Sequence, residues 1–153
     1  MCIGRHPAVR GMIDQPSRIR RVSEPRVREY WRRVWSEQDV AFAREFYAPR
    51  FVQNDRETTV EAFGKGAAAF LEHFEDFGAT IDRVFACDDV VVTRVVYRAR
   101  HVRDFPGVPA VGAPIEVTGL DIFRFEDGLV VEHLHEADHE AMWEQLGVAL
   151  PPG

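Results

Sequence analysis

The spacing of apolar residues changes at Gly78, and this change constrains the fold more than any other feature of the chain. Between Ser23 and Phe77 apolar residues recur every three or four positions, as on one face of an α-helix. Beyond Gly78 they alternate with polar residues, as in strands that bury one face. Helices followed by long alternating strands predict an α+β domain.

Three helices are predicted before Gly78. The first begins at Ser23, whose hydroxyl suits an N-cap, and carries Trp31 on its apolar stripe. The second begins after Asp39 and ends before Pro49, and residues 51–54 are predicted as a loop. The third helix is predicted over residues 59–77. The aromatic stripes of these helices are expected to form the core and to line part of a pocket.

Four strands and a short helix are predicted after Gly78. Asp127-Gly128 lies between the last two strands and is a strong hairpin signal. A strongly curved antiparallel sheet with three N-terminal helices packed on one face forms a cone-shaped α+β barrel, whose open end is an apolar pocket. The predicted strands are residues 79–87, 90–102, 115–126 and 129–137, and the final helix is residues 138–146.

Length and charge limit the class of protein. A chain of 153 residues predicts one domain, here residues 25–148, with a flexible extension over residues 1–24 and a tail over 149–153. The net charge of −6 argues against a nucleic-acid partner. No apolar run approaches 18 residues, so no membrane span or membrane partner is expected. Two cysteines do not form a disulfide framework, and we expect a cytoplasmic protein.

A carboxylate on an apolar strand face is the most informative single residue. Asp121 lies on the same face as Phe123, and an ionised buried carboxylate requires a partner. A hairpin centred on Asp127-Gly128 places residue 134 or 135 opposite Asp121, within reach of His135. A carboxylate that orients an imidazole in a pocket is a general-base arrangement. The alternative is a buried polar pair that only fixes strand register.

Two other kinds of site are alternatives to this pair. His133 and His135 share a strand face, so a metal with His101 or Asp121 as third ligand is conceivable, although no recognised metal-ligand spacing is present and no metal is predicted. Nucleophilic and phosphate-binding motifs are absent from the sequence.

Several short motifs of the chain belong to one recognisable pattern. They are the segments Phe105–Gly112, Ile122–Gly128, Val131–His133, Asp138 and Glu144–Gly147. Together they resemble the SnoaL-like polyketide (ester) cyclase family, within the nuclear-transport-factor-like superfamily. The resemblance implies a curved sheet around an apolar cavity, a homodimer, no cofactor, and a small apolar or polyketide-like ligand. Cyclases of that family close a ring by intramolecular aldol condensation, with acid–base chemistry and no metal.

The resemblance also implies roles for individual residues. The family places its catalytic Asp at the position of His135 and a supporting His at that of Asp121, so this chain exchanges the two identities. A polar amide of the family corresponds to Gln53, and a His at the end of the second long strand to His101. A family Gln is replaced by Gly119.

The sequence and the resemblance together predict a small-molecule enzyme, a cyclase, isomerase or hydrolase, in which His135 is the base and Asp121 orients it. Aldol-type cyclisation or isomerisation is the expected chemistry. The alternative is a ligand-binding or dimerisation domain that has the same fold and no catalytic activity. Substrate contacts are predicted for Gln53, His101, His133, Tyr97, Phe123 and Trp31.

Overall fold

A computed structural model describes residues 18–148 of the chain. Within this range a six-stranded, curved and unclosed sheet has the strand order β2-β1-β6-β5-β4-β3. The strands are β1 (Tyr47–Gln53), β2 (Arg56–Thr59), β3 (Phe74–Cys87), β4 (Val90–His101), β5 (Pro114–Glu126) and β6 (Leu129–Ala137). The α-helices are α1 (Arg18–Tyr30), α2 (Ala43–Phe46), α3 (Val60–Leu71) and α4 (His139–Gln145). The α+β prediction is confirmed.

The first helix is longer than predicted at its N-terminal end. It begins at Arg18 rather than Ser23, and Pro25 lies inside it. A π-helical segment, Trp31–Ser36, continues it directly. Residues 18–24 thus belong to α1, whereas residues 1–17 and 149–153, the remainder of the predicted extension and the tail, lie outside the described residues, and the predicted domain boundaries stay a prediction.

The predicted second helix is wrong over residues 47–48, and the predicted loop is wrong over residues 51–53, because β1 occupies both. Only a 3₁₀ turn, Val40–Phe42, and the short α2 are helical, and at Tyr47 the backbone becomes extended. Strand β1 pairs parallel with β6 and antiparallel with β2. Pro49 is tolerated because the register of the β1–β6 pairing shifts between Tyr47 and Val52.

The third helix ends at Leu71, before the predicted boundary at Phe77. Phe74 and Phe77 belong to β3, where the register against β4 shifts between Glu75 and Gly78. Because of this bulge, Phe74 and Phe77 are both buried although they are three positions apart in a strand. The same spacing is typical of one face of a helix, and this explains the wrong boundary. Gly78 therefore lies within a strand and does not end a helix.

The long strands and their last hairpin follow the prediction. The inward face of β5 carries the odd-numbered residues from Ile115 to Phe125, all buried or half-buried. Asp127 and Gly128 both have positive φ, 49° and 81°, as a two-residue type I′ turn requires. The inner face packs against α1 through aromatic contacts, among them Tyr30 with Phe123 at 5.6 Å between ring centroids.

The outer face of β5 carries exposed apolar side chains. Leu120 and Ile122 are 53% and 38% exposed. The homodimer implied by the resemblance stays a prediction. None of the helices described is long and apolar enough to cross a membrane.

Candidate active site

A cavity of about 440 Å³ lies between the inner face of the sheet and helices α1 and α3. Its volume falls in the range of small-molecule sites. Among the described residues its wall contains no lysine or arginine. The wall is formed by Tyr30, Trp31, Trp35, Gln53, Thr58, Ala62, Phe63, Gly66, Ala67, Phe70, Phe77, Tyr97, Ile115, Val117, Asp121, His133, His135, Ala137, His139 and Met142.

Asp121 is the centre of a hydrogen-bonded cluster at one side of the cavity. Its Oδ1 lies 2.8 Å from His133 Nε2 and 2.8 Å from His135 Nδ1. Its Oδ2 accepts from the Tyr97 hydroxyl at 3.3 Å. The predicted pairing of Asp121 with His135 is present, and His133 is an additional partner.

Strand pairing explains why these residues meet. Asp121 is directly opposite His135 in the register of β5 and β6, and His133 is opposite Phe123. The register shifts by one residue between Arg124 and Phe125. This bulge buries Val130 next to the turn and still directs both histidines inward.

The protonation states of the three groups follow from their surroundings. Burial disfavours the charged form of Asp121, but hydrogen bonds from His133 and His135 outweigh it and lower the pKa of this carboxyl. Burial dominates at His133 and lowers its pKa. At His135 burial is outweighed by the hydrogen bond and charge of Asp121, which raise its pKa. The cluster therefore combines a carboxylate, a neutral His133 and a more basic His135.

His133 is the more deeply buried of the two histidines that hold Asp121. Its side chain is 3% exposed and its ring stacks on Phe123 with centroids 4.4 Å apart. Its Nε2 faces Asp121, and its Nδ1 lies 2.8 Å from the Tyr47 hydroxyl, within hydrogen-bond distance. Both ring nitrogens thus have hydrogen-bond partners, so His133 stabilises the cluster and offers no free nitrogen to a substrate, although its ring lines the cavity.

We expect His133→Ala to lower the free energy of unfolding by about 3 kcal/mol, because it leaves a cavity and removes the partner of two buried polar groups. His135→Ala, at a side chain that is 31% exposed, is expected to cost about 1 kcal/mol. Urea denaturation at pH 7.5 measures both values. Equal losses for the two variants would contradict the supporting role of His133.

His135 presents a free nitrogen to the cavity. Its Nδ1–H donates to Asp121, so in the neutral ring Nε2 carries the lone pair. Nε2 makes no hydrogen bond to the described residues. The arrangement can take a proton from a bound molecule, and the Asp121 carboxylate stabilises the imidazolium that results.

Asn54 positions His135, although the sequence pattern did not single it out. Its Oδ1 accepts from the His135 backbone N–H at 2.7 Å, and its Nδ2 donates to the His135 carbonyl at 3.1 Å. The backbone N–H of Asn54 donates to the His133 carbonyl at 3.1 Å. Asn54 has a φ of 46°, which Asn adopts more readily than most residues, so an Asn-Asp pair between two extended segments is the signal that could have found it.

The structure brings together some of the predicted contact residues and separates others. Gln53, Tyr97 and Trp31 line the cavity with His133 and His135. Phe123 is outside the lining because it is covered by Tyr30 and His133.

His101 is also outside the cavity lining, so its position does not support the predicted substrate contact. It is fully buried at the end of β4, where its ring stacks on Phe105 and packs against Phe74. His139, an exposed residue at the start of α4, also contributes to the cavity wall.

The donor atoms of Asp121, His133 and His135 lie within 4.8 Å of one another, which is close enough to share a metal ion. Two of the three pairs are also in direct hydrogen-bond contact through Asp121 Oδ1. A metal bound through the two nitrogens that face Asp121 would have to displace both hydrogen bonds.

Fold and site together define a class: a small α+β domain whose curved sheet holds an aromatic cavity with an acid–imidazole cluster on its wall. The model of the SnoaL-like polyketide cyclase family matches residues 25–146. The chain belongs to this family, which supports a cyclase-like function in general. No curated protein sequence matches the chain.

Solved structures with this fold are similar over most of the chain. TsrD from Streptomyces laurentii is 27% identical, with a TM-score of 0.77, covering 84% of this chain and 98% of its own. IdmH from Streptomyces antibioticus, described as a putative polyketide cyclase, is 29% identical, with a TM-score of 0.73 and coverage of 82% and 99%. A putative SnoaL-like polyketide cyclase from Jannaschia sp. CCS1 is 23% identical, with a TM-score of 0.78 and coverage of 91% and 99%.

Proposed function

We propose that this chain is an acid–base enzyme that needs no cofactor and acts on a neutral, largely aromatic substrate. It removes a proton from the carbon next to a carbonyl group, and the product is either a new carbon–carbon bond or an isomer. The single observation that carries the proposal is the hydrogen bond between His135 Nδ1 and the buried Asp121, which leaves Nε2 free at the cavity. Membership of the cyclase family supports an intramolecular aldol reaction in preference to other carbonyl chemistry.

The proposed reaction begins when His135 Nε2 removes a proton from the carbon next to a substrate carbonyl. The electron pair of the broken C–H bond forms an enolate, and Asp121 stabilises the imidazolium. The Gln53 amide, which lines the same cavity, donates to the enolate oxygen. The enolate carbon then attacks a second carbonyl of the same molecule, a C–C bond closes the ring, and the imidazolium returns its proton to the new alkoxide.

The wall of the cavity supports a neutral substrate. Ring side chains such as Trp31, Trp35, Phe70 and Phe77 form much of its surface, and no lysine or arginine of the described residues reaches it. A substrate carboxylate or phosphate would lose its hydration there without gaining a cationic partner. Stacked aromatic contacts instead favour planar rings.

A small aromatic ketone tests this proposal without knowledge of the natural substrate. We expect the protein to accelerate exchange of the α-protons of 2-tetralone in D₂O, followed by NMR, and to bind 2-naphthol, which resembles its enol. Exchange at the rate of buffer alone, with 2-naphthol bound, would instead favour the alternative of a ligand-binding domain without catalytic activity.

The same assay separates acid–base chemistry from metal chemistry at the cluster. The expected exchange rate is unchanged after treatment with EDTA. Loss of exchange on chelation, with recovery on addition of a first-row metal, would assign Asp121, His133 and His135 as ligands and contradict the proposal.

A further inference from the structure

We propose that Tyr97 is a positioning residue that holds the Asp121 carboxylate in place, and that glycine at position 119 is required to admit it. This inference rests on the proposed role of His135 as the base. The observation behind it is steric. A Cβ atom at residue 119 would lie 2.8 Å from Tyr97 Cε2 and 3.0 Å from its hydroxyl oxygen.

Tyr97 reaches Asp121 diagonally across Gly119. In the register of β4 and β5, Tyr97 is opposite Val117, and Gly119 is opposite Val95. The Tyr97 ring therefore leans along the sheet over residue 119 before its hydroxyl meets Asp121 Oδ2. Any larger residue at position 119 would occupy the volume that the ring now fills, and the Glu136 carbonyl, 3.1 Å from the same Cβ position, blocks the other side.

Space is the reason for glycine at this position. Gly119 does not have the positive φ found at Gly107, Gly112, Gly128 and Gly147. An alanine would adopt the same strand backbone without strain, and its methyl group would contact Tyr97 instead. The backbone conformation at residue 119 does not demand glycine, whereas the positions of the Tyr97 ring and of the Glu136 carbonyl do.

The Tyr97 hydroxyl completes the set of donors on the carboxylate. Both histidines use Oδ1, and Tyr97 makes the only hydrogen bond that Oδ2 receives from the described residues. Burial raises the pKa of Tyr97, so its hydroxyl stays protonated and acts as a donor. With both oxygens held, the carboxylate cannot rotate, and Oδ1 stays directed at His135 Nδ1.

The consequence for His135 is a fixed tautomer. Free histidine favours a proton on Nε2, whereas the base proposed here needs its proton on Nδ1 and a lone pair on Nε2. Asp121 Oδ1 imposes that choice, and Tyr97 keeps Oδ1 in place. Tyr97 thereby acts on the reaction through Asp121 and His135, without a contact to the reacting atoms.

Two variants test the inference by ¹⁵N NMR of the histidine side chains, which reports each ring's tautomer without any turnover. Tyr97→Phe keeps the ring and removes the hydroxyl, and Gly119→Ala displaces the ring. In both we expect the Nδ1–H tautomer of His135 to lose population and the pKa of Asp121 to rise, since the carboxylate loses a donor. Exchange of 2-tetralone is expected to fall by roughly two- to tenfold in Tyr97→Phe, while 2-naphthol binding is retained.

Gly78→Ala is the matched control. Gly78 also lies in a strand, and a Cβ there meets nothing within 4 Å. It is expected to leave the His135 tautomer unchanged. In the double variant Tyr97→Phe/Gly119→Ala, the effects on the tautomer are expected to be less than additive, because both substitutions remove the same hydrogen bond.

An unchanged His135 tautomer in a folded Tyr97→Phe would overturn the inference and leave Tyr97 as a packing residue. Should Gly119→Ala fail to fold, Tyr97→Phe alone decides. Failure of the proposed function gives a different result. The wild type would then show no exchange of 2-tetralone, while the tautomer of His135 would still respond to Tyr97→Phe.

Discussion

His135→Gln is expected to reduce exchange of 2-tetralone by ~10²–10⁴-fold, the range that a positioned general base contributes. Glutamine is polar and of similar reach, but its amide does not accept a proton near neutral pH. The cavity wall is otherwise unchanged, so 2-naphthol binding and the thermal midpoint are expected to stay close to those of the wild type. NMR exchange rates, fluorescence titration and thermal denaturation measure the three quantities.

His73→Gln is the matched control for this variant. His73 stacks on Phe105 outside the cavity, and it is not part of the Asp121 cluster. The wild-type rate is expected to rise with pH as His135 loses its proton, and because Asp121 raises the pKa of His135, the midpoint lies above the ordinary value of about 6.5. Equal rates for His135→Gln and His73→Gln would remove His135 from the mechanism.

Strong periodicity was sufficient to predict the part of the sheet that carries the base. The alternation along β5 and the Asp-Gly turn together place Asp121 opposite residue 134 or 135, and the observed partner is His135. Both signals are local, since one depends on side-chain direction along a strand and the other on a two-residue turn. Local signals of this kind can be recognised in a single sequence.

The residues that complete the site depend on contacts between distant segments. Strand β1 pairs with β6, some 80 residues later in the chain, and this parallel pairing brings Gln53 and Asn54 beside the histidines. Nothing in residues 47–53 alternates strictly, because Pro49 and the irregular pairing break the pattern. Tertiary pairing, and not local preference, makes this segment a strand.

Periodicity predicts which strand residues face inward, but it does not predict whether such a residue is covered by other side chains or lies open to the cavity. His101, His133 and His135 all have inward-facing positions, yet they differ in what covers them. His101 is covered by Phe74 and Phe105, whereas the end of β6 remains open to the cavity at His135. The close contact of Tyr97 with Gly119 has the same origin, because it depends on the diagonal lean of one ring over a neighbouring strand.

Asp121→Asn is expected to abolish the function of the cluster while it preserves its shape. Asparagine keeps an oxygen for the imidazole N–H groups but loses the negative charge that raises the pKa of His135 and stabilises its imidazolium. Without that charge His135 has no strong reason to hold its proton on Nδ1. We expect 2-tetralone exchange to fall by on the order of 10²-fold or more, a loss typical when the carboxylate behind a catalytic histidine is neutralised.

The dependence of stability on pH distinguishes the lost charge from a lost contact. The lowered pKa of Asp121 contributes stability above its unfolded value of about 3.9, and this contribution is lost as pH falls through the folded pKa. The raised pKa of His135 contributes stability below about 6.5, and this is lost as pH rises through the folded pKa.

The free energy of unfolding of the wild type is therefore expected to exceed that of Asp121→Asn most between about pH 4 and 6.5, where carboxylate and imidazolium coexist. The difference should narrow on both sides of that window. Urea denaturation at about pH 3, 5.5 and 9 measures it, with Asp76→Asn, at an exposed carboxyl of β3, as the control. A difference of the same size at all three pH values would mean that Asp121 contributes only its shape, and His135 would then lack the charged partner on which its basicity depends.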